Sequence, residues 1–172
     1  MHDSVLRMQT SITVIPYLDK NKFYREIASD LRGILEKNWL ANLANFSALV
    51  KQHLPQVNWV GFYLNEDQAL CVGPFQGLPA CTRIPFGKGV CGTAAESRKT
   101  LIVQDVDQFP GHIVCDHASK SEIVIPLILD QRILGVLDID SPVLARFDEA
   151  DREGLEMLTH ILLELTEWPT RF

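Results

Sequence analysis

Cys81, Cys91 and Cys115 share one stretch, 71–121, that is dense in glycine and proline. They lie ten and twenty-four positions apart. A loop-rich chain can bring such thiols together and keep them near solvent. A thiol that is oxidised by a substrate and resolved by a neighbour needs that arrangement. Two other outcomes fit the spacing. The cysteines could be buried apolar filler. They could also bind zinc with His112 or His117, although no Cys-x-x-Cys or His-x-x-x-His pair of the usual structural type is present. Three cysteines in one glycine-rich stretch favour redox chemistry over both.

A reactive thiol must be reachable and its pKa must be lowered. Cys91 falls in Gly89-Val90-Cys91-Gly92-Thr93, which reads as a helix start where backbone amides favour negative charge. Cys115 stands between His112 and His117 and beside Asp116; a protonated histidine would favour its thiolate and the carboxylate would oppose it. Cys81 has Arg83 as a nearby cation. Cys71, in Leu70-Cys71-Val72, reads as a small buried hydrophobe.

A second constellation is acidic. Asp138-Ile139-Asp140 puts two carboxylates on one face of a strand, because side chains alternate with period two. Glu122 opens the preceding strand of the same hairpin. A three-residue loop at 130–132 would set Glu122 opposite Asp140. A strict two-residue loop would pair it with Ile139 and spoil the cluster unless a bulge intervened. The expected result is a cluster of three carboxylates. Such a group repels itself and keeps a proton, so it can hold an ammonium group and also deliver a proton. Trp59 and Tyr63 point to one face of the first strand, either as core or as the wall of a small pocket.

The elements that must position these residues follow from periodicity. Phe23, Ile27, Leu31, Ile34 and Leu35 form one helical face from Asn21 to about Glu36. A second helix carries Leu40, Leu43, Phe46, Leu49, Val50 and Leu54 and ends at Pro55. Strands are expected at 57–64, 69–72, 101–103, 123–129 and 133–139, with Asn65-Glu66-Asp67 as a turn. Asp148 caps a final helix that stops before Pro169, with Asp151 near its first-turn amides. Residues 1–20 read as an N-terminal arm and 21–172 as one domain. Helices at both ends of a largely antiparallel sheet make it α+β. Gly87-Lys88-Gly89 is not a phosphate-binding loop, since Thr82 and Gly89 stand where a leading glycine and a hydroxyl residue belong.

With 172 residues the chain suits a single domain, and a net charge of −6 argues against nucleic acid or an anionic membrane as partner. The N-terminus carries no secretory pattern and no apolar run is long enough to span a bilayer, so the expected location is the cytoplasm. In that compartment cysteines are reduced, catalytic or metal-bound more often than locked in static disulfides.

Several motifs together resemble the free methionine-R-sulfoxide reductases, which are single GAF domains. They are Gly73-Pro74-Phe75-Gln76-Gly77, Ala80-Cys81-Thr82-Arg83-Ile84, Gly87-Lys88-Gly89-Val90-Cys91-Gly92, Phe109-Pro110-Gly111-His112-Ile113, Ser121-Glu122-Ile123-Val124 and Gly135-Val136-Leu137-Asp138-Ile139-Asp140-Ser141-Pro142. The similarity runs from about Tyr17 to Leu165. It implies a six-stranded, largely antiparallel sheet with the terminal helices on one side, and loops and a short helix on the other. It also implies reduction of free L-methionine (R)-S-oxide, with no bound cofactor or metal and with thioredoxin as reductant, in a homodimer. By that resemblance Cys115 attacks the sulfoxide, Cys81 and Cys91 resolve, and Trp59, Tyr63, Glu122, Asp138 and Asp140 form the pocket. A GAF domain that only senses a small ligand is the alternative.

Overall fold

The computed structural model describes residues 19–172. Most of the expected 1–20 arm therefore lies outside the described residues. Helix α1 (Lys20–Ile34) begins one position before the expected Asn21, with the Asp19 side chain accepting the Lys22 amide at 3.0 Å. Helix α2 (Trp39–His53) follows, and α4 (Glu149–Leu165) closes the fold. The α4 cap is a reciprocal box between Asp148 and Asp151, so the first-turn amides are satisfied as the sequence implied. Asp151 is also fully buried and accepts from Tyr24 on α1 (2.8 Å) and pairs with Lys20 (2.6 Å), which ties the two terminal helices together.

Between them lie β1 (Trp59–Glu66), β2 (Ala69–Gln76), β3 (Arg83–Pro85), α3 (Gly89–Ser97), β4 (Leu101–Val103), β5 (Ser121–Leu129) and β6 (Arg132–Ser141). The six strands form one antiparallel sheet in the order β3-β2-β1-β6-β5-β4. Alternation along the strands divides the interior in two. Val60, Phe62, Ile123, Leu127, Leu137 and Ile139 face α1, α2 and α4, where Phe46 meets Phe62 edge-on at 5.3 Å. Trp59, Tyr63, Val124 and Val136 face the other way, toward Val90, Ala94 and Ala95 of α3.

Two hairpins depart from expectation. Asn65 and Glu66 continue β1 rather than turning; the turn is Asp67-Gln68, both in the left-handed region (φ 51° and 66°). The β5–β6 loop is the strict two-residue turn, Asp130-Gln131 (φ 48° and 64°), with Leu129 paired to Arg132. The register then shifts between Leu127 and Ile128, where Leu134 is the extra residue: Ile128 pairs with Ile133 but Leu127 pairs with Gly135. That bulge restores the pairing of Glu122 with Asp140.

Candidate active site

Register places the acidic residues. In the antiparallel sheet Asp140 is opposite Glu122 on one side and Trp59 on the other, while Asp138 is opposite Val124 and Gly61. The three carboxylates therefore stand on the face that α3 and the 86–120 loops cover. Glu122 and Asp138 are 5 % and 7 % exposed. Burial is the main reason all three are held above the ordinary carboxylate range. Asp138 rises to about 7, offset by a hydrogen bond from the Cys91 thiol. For Glu122 the charges of Asp138 and Asp140 add to burial, and Glu122 donates a hydrogen bond to the Asp140 carboxylate. Burial and mutual repulsion thus strengthen proton binding by this pair.

Above the carboxylates the chain closes a disulfide between Cys81 and Cys115, Cα atoms 5.5 Å apart. The two come from opposite sides: Cys81 from the segment that enters β3, Cys115 from the irregular loop that precedes β5. A cavity of about 30 Å³ lies beneath Cys115 and is lined by Tyr63, Cys91, His112, Glu122, Asp138 and Asp140, among others. Cys115 and the three acids thus line one cavity.

Cys91 departs from its expected character. It is the third residue of α3, yet its thiol is pushed well above its ordinary pKa by burial first and then by the Asp138, Glu122 and Asp140 charges. A helix start contributes a fraction of a charge, which three buried acids outweigh. Cys91 is free and 6 % exposed, and it donates to Asp138. Cys71, expected to be buried, is a free and half-exposed thiol on β2.

Tyr63 lines the cavity, and Trp59 stands behind it, stacked on Tyr63 (centroids 5.7 Å) and on Phe75 (5.2 Å). The indole N–H donates to the Leu78 carbonyl at 3.1 Å. The ring lies flat because Gly61 has no side chain: a Cβ there would sit 2.6 Å from Trp59 Cη2. Trp59 therefore shapes the wall from the second layer and is absent from the cavity lining.

From the sequence, His112 is a modulator of Cys115 or a zinc ligand and nothing more. Its Nε2 lies 3.8 Å from Glu122 Oε2, and burial holds it below the ordinary histidine value. It roofs the acid pair. The motif that contains it was visible, but nothing in spacing ties His112 to Glu122. Among the described residues, no group of three or more His, Cys, Asp or Glu is arranged to hold a metal ion. No helix among them is long and apolar enough to cross a membrane.

The GAF domain model matches residues 41–162. The chain is 50 % identical over 143 residues to the free methionine-R-sulfoxide reductase of Escherichia coli, covering 82 % of this chain and 87 % of that one. It is 53 % identical over 148 residues to protein YtsP of Bacillus subtilis, covering 84 % and 91 %. The structure of free methionine-R-sulfoxide reductase from Neisseria meningitidis in complex with its substrate superposes with a TM-score of 0.81 at 48 % identity, over 85 % of this chain and 89 % of that one.

Proposed function

This chain belongs to the GAF-domain family of free methionine-R-sulfoxide reductases, and on that premise we propose that it reduces free L-methionine (R)-S-oxide to L-methionine at the cavity beneath Cys115. One observation carries the reading: the Cys81–Cys115 disulfide caps a cavity floored by Glu122, Asp138 and Asp140. Sulfoxide reduction requires two thiols that give up two electrons by closing such a disulfide, and an acid that protonates the departing oxygen.

The Cys115 thiolate attacks the sulfoxide sulfur. The oxygen is a poor leaving group until protonated, and the Glu122–Asp140 pair or Asp138 supplies that proton. Attack forms a bond between Cys115 and the substrate sulfur. The protonated oxygen then passes to the Cys115 sulfur as that bond and the substrate S–O bond break, so methionine leaves and Cys115 holds the oxygen as sulfenic acid. The Cys81 thiol then displaces it as water and the disulfide forms, as found here. A thioredoxin dithiol reopens it by exchange and becomes oxidised in turn. Cys91 takes no part as a resolving thiol in this scheme; it holds Asp138. With the disulfide closed the cavity measures about 30 Å³, well below the roughly 300 Å³ and more of small-molecule sites, so in this scheme the disulfide opens before the substrate enters.

The remaining carboxylates would hold the substrate ammonium, and Tyr63, backed by Trp59, would face the methylthio end. A peptide-linked sulfoxide lacks the ammonium and would leave buried acids unpaired, which favours the free amino acid. The reading carries with it a cytoplasmic location and a homodimer. Ile34 and Leu40, exposed at 38 % and 51 % beside the α1–α2 junction, support the N-terminal helices as the contact.

The test is reduction of free L-methionine (R)-S-oxide by wild type and Cys115→Ser, with thioredoxin or dithiothreitol as reductant. The expected result is turnover by wild type and none by the variant. A wild type that binds the sulfoxide without reducing it would be a sensor and would end the proposal.

A further inference from the structure

The loop that carries Cys115 is fastened to the acidic floor through one side chain that lies outside the cavity lining. Asn58 immediately precedes β1, and its backbone N–H donates to the Asp140 carbonyl at 3.0 Å. Its side-chain Nδ2 donates to Asp116 Oδ2 (2.9 Å) and to Ser119 Oγ (3.0 Å). Asp116 follows Cys115 directly, and its other carboxylate oxygen accepts the Ala118 amide at 2.8 Å. The Ser119 amide donates to the Asp116 carbonyl at 3.2 Å, and the Ser119 hydroxyl hydrogen-bonds the Asp140 carboxylate.

The bonding leaves little choice in this network. Nδ2 has two hydrogens, and both are used, one on Asp116 and one on Ser119. Ser119 Oγ accepts from Asn58, and its hydroxyl favours the charged form of the Asp140 carboxylate. A continuous path then runs from the residue beside the nucleophile, through Asn58 and Ser119, to Asp140, which accepts from Glu122. The remaining Asn58 atom, Oδ1, is buried without a partner. A buried polar atom left unsatisfied costs stability, so this amide is not explained by optimised packing alone. After Ser119 the chain is already in the sheet, since Lys120 N–H donates to the Ser141 carbonyl at 2.7 Å. Upstream, Gly111 adopts φ 74° with open space about it, and 112–115 form no regular element. Cys115 is thus the last residue before a fixed point.

We propose that Asn58 is a positioning residue that clamps Asp116 and Ser119, and so sets the Cys115 sulfur in register both with the acid pair below it and with Cys81. The inference rests on Cys115 being the nucleophile. The same sulfur must occupy two stations, over the substrate and against Cys81. A stem held at Asp116 keeps both within a short swing. Without the clamp the sulfur explores a wider volume, and both attack and closure slow through lost orientation.

The experiment uses the full chain, reduced and freed of reductant, as wild type, Asn58→Ala, Asn58→Asp, Asp116→Asn and the exchange Asn58→Asp/Asp116→Asn. Each is mixed with excess L-methionine (R)-S-oxide or, separately, hydrogen peroxide, which also converts a thiolate to sulfenic acid. Closure of Cys81–Cys115 is timed by acid quench and mass spectrometry, Cys115 sulfenic acid is trapped with dimedone, and unfolding midpoints are measured alongside. Asn58→Ala and Asn58→Asp are expected to slow closure by roughly ten- to hundredfold with both oxidants, and sulfenic acid accumulates on Cys115. The Asn58→Asp single variant retains volume but loses both donors and faces Asp116. The exchange variant restores an amide-to-carboxylate bond with reversed polarity and is expected to close faster than either of its single variants. Closure at the wild-type rate in Asn58→Asp, or an exchange variant that melts like wild type yet closes no faster than the slower single variant, overturns the proposal. If the sulfoxide leaves wild type reduced while peroxide closure depends on residue 58 as described, the clamp stands and the reductase reading falls.

Discussion

The acidic floor should make the folded protein lose stability as pH rises, and Asp138→Asn should remove much of that loss. Asp138 is 7 % exposed and its pKa goes from an ordinary 3.8 to about 7 on folding. Because the folded value is the higher, the folded state binds the proton more tightly. The stabilisation is complete below pH 3.8 and disappears as pH climbs through about 7. The whole change corresponds to about 4 kcal/mol, and the part between pH 5 and pH 8 to about 3 kcal/mol. Asparagine keeps the shape and an acceptor for the Cys91 thiol but has no charge to bury. It also relieves Glu122 and Asp140, whose protons the Asp138 charge helps to retain, so the difference between the two proteins can only grow. Urea unfolding of both proteins, kept reduced, at pH 5 and pH 8 gives the comparison. Wild type is expected to lose about 3 kcal/mol more than the variant over that interval, and the variant to be the more stable protein at pH 8 while reducing sulfoxide poorly. Parallel losses, agreeing within about 1 kcal/mol, would refute the claim that Asp138 is buried with a retained proton.

The remaining expectations concern the thiols and the wall. Cys81→Ser should leave Cys115 as trapped sulfenic acid after one turnover and abolish thioredoxin-dependent cycling, whereas Cys91→Ser should still close Cys81–Cys115. A Cys91–Cys115 bridge mapped in wild type after turnover would reverse the assignment. Gly61→Ala puts a Cβ 2.3 Å from Phe75 Cβ and 2.6 Å from Trp59 Cη2. It should cost about 2 kcal/mol and lower the melting temperature by roughly 4–8 °C, read by circular dichroism; an unchanged midpoint would show that the wall yields freely.

What the sequence conveyed about this molecule depended on whether a signal was local. Apolar spacing marked α1, α2 and α4, and Asp148 with Asp151 marked the α4 start, because each rests on residues within two turns of one another. Period-two alternation put Asp138 and Asp140 on one face, but their meeting with Glu122 hung on a bulge at Leu134 that no turn residue announces. The cluster was therefore legible and its cause was not. In 71–121 the glycines and prolines obscured β3 and the extent of α3 beyond its visible start, since these three- and nine-residue elements are defined by what they pack against. Spacing left Cys81 and Cys91 equal as partners for Cys115, since both are one loop away; the fold separates them by sending Cys91 into the floor beside Asp138. The character of Cys91 reversed for the same reason. A helix start is visible in sequence, but the three acids that oppose its effect arrive from β5 and β6. Asn58 had no signal at all: one polar residue before a strand is ordinary until Asp116 and Ser119, some sixty positions on, are folded onto it. Chemistry-bearing residue types were readable, then, wherever their partners lay along the strand or helix. The choice among thiols, and the side chain that aims the chosen one, came only from contacts across the sheet.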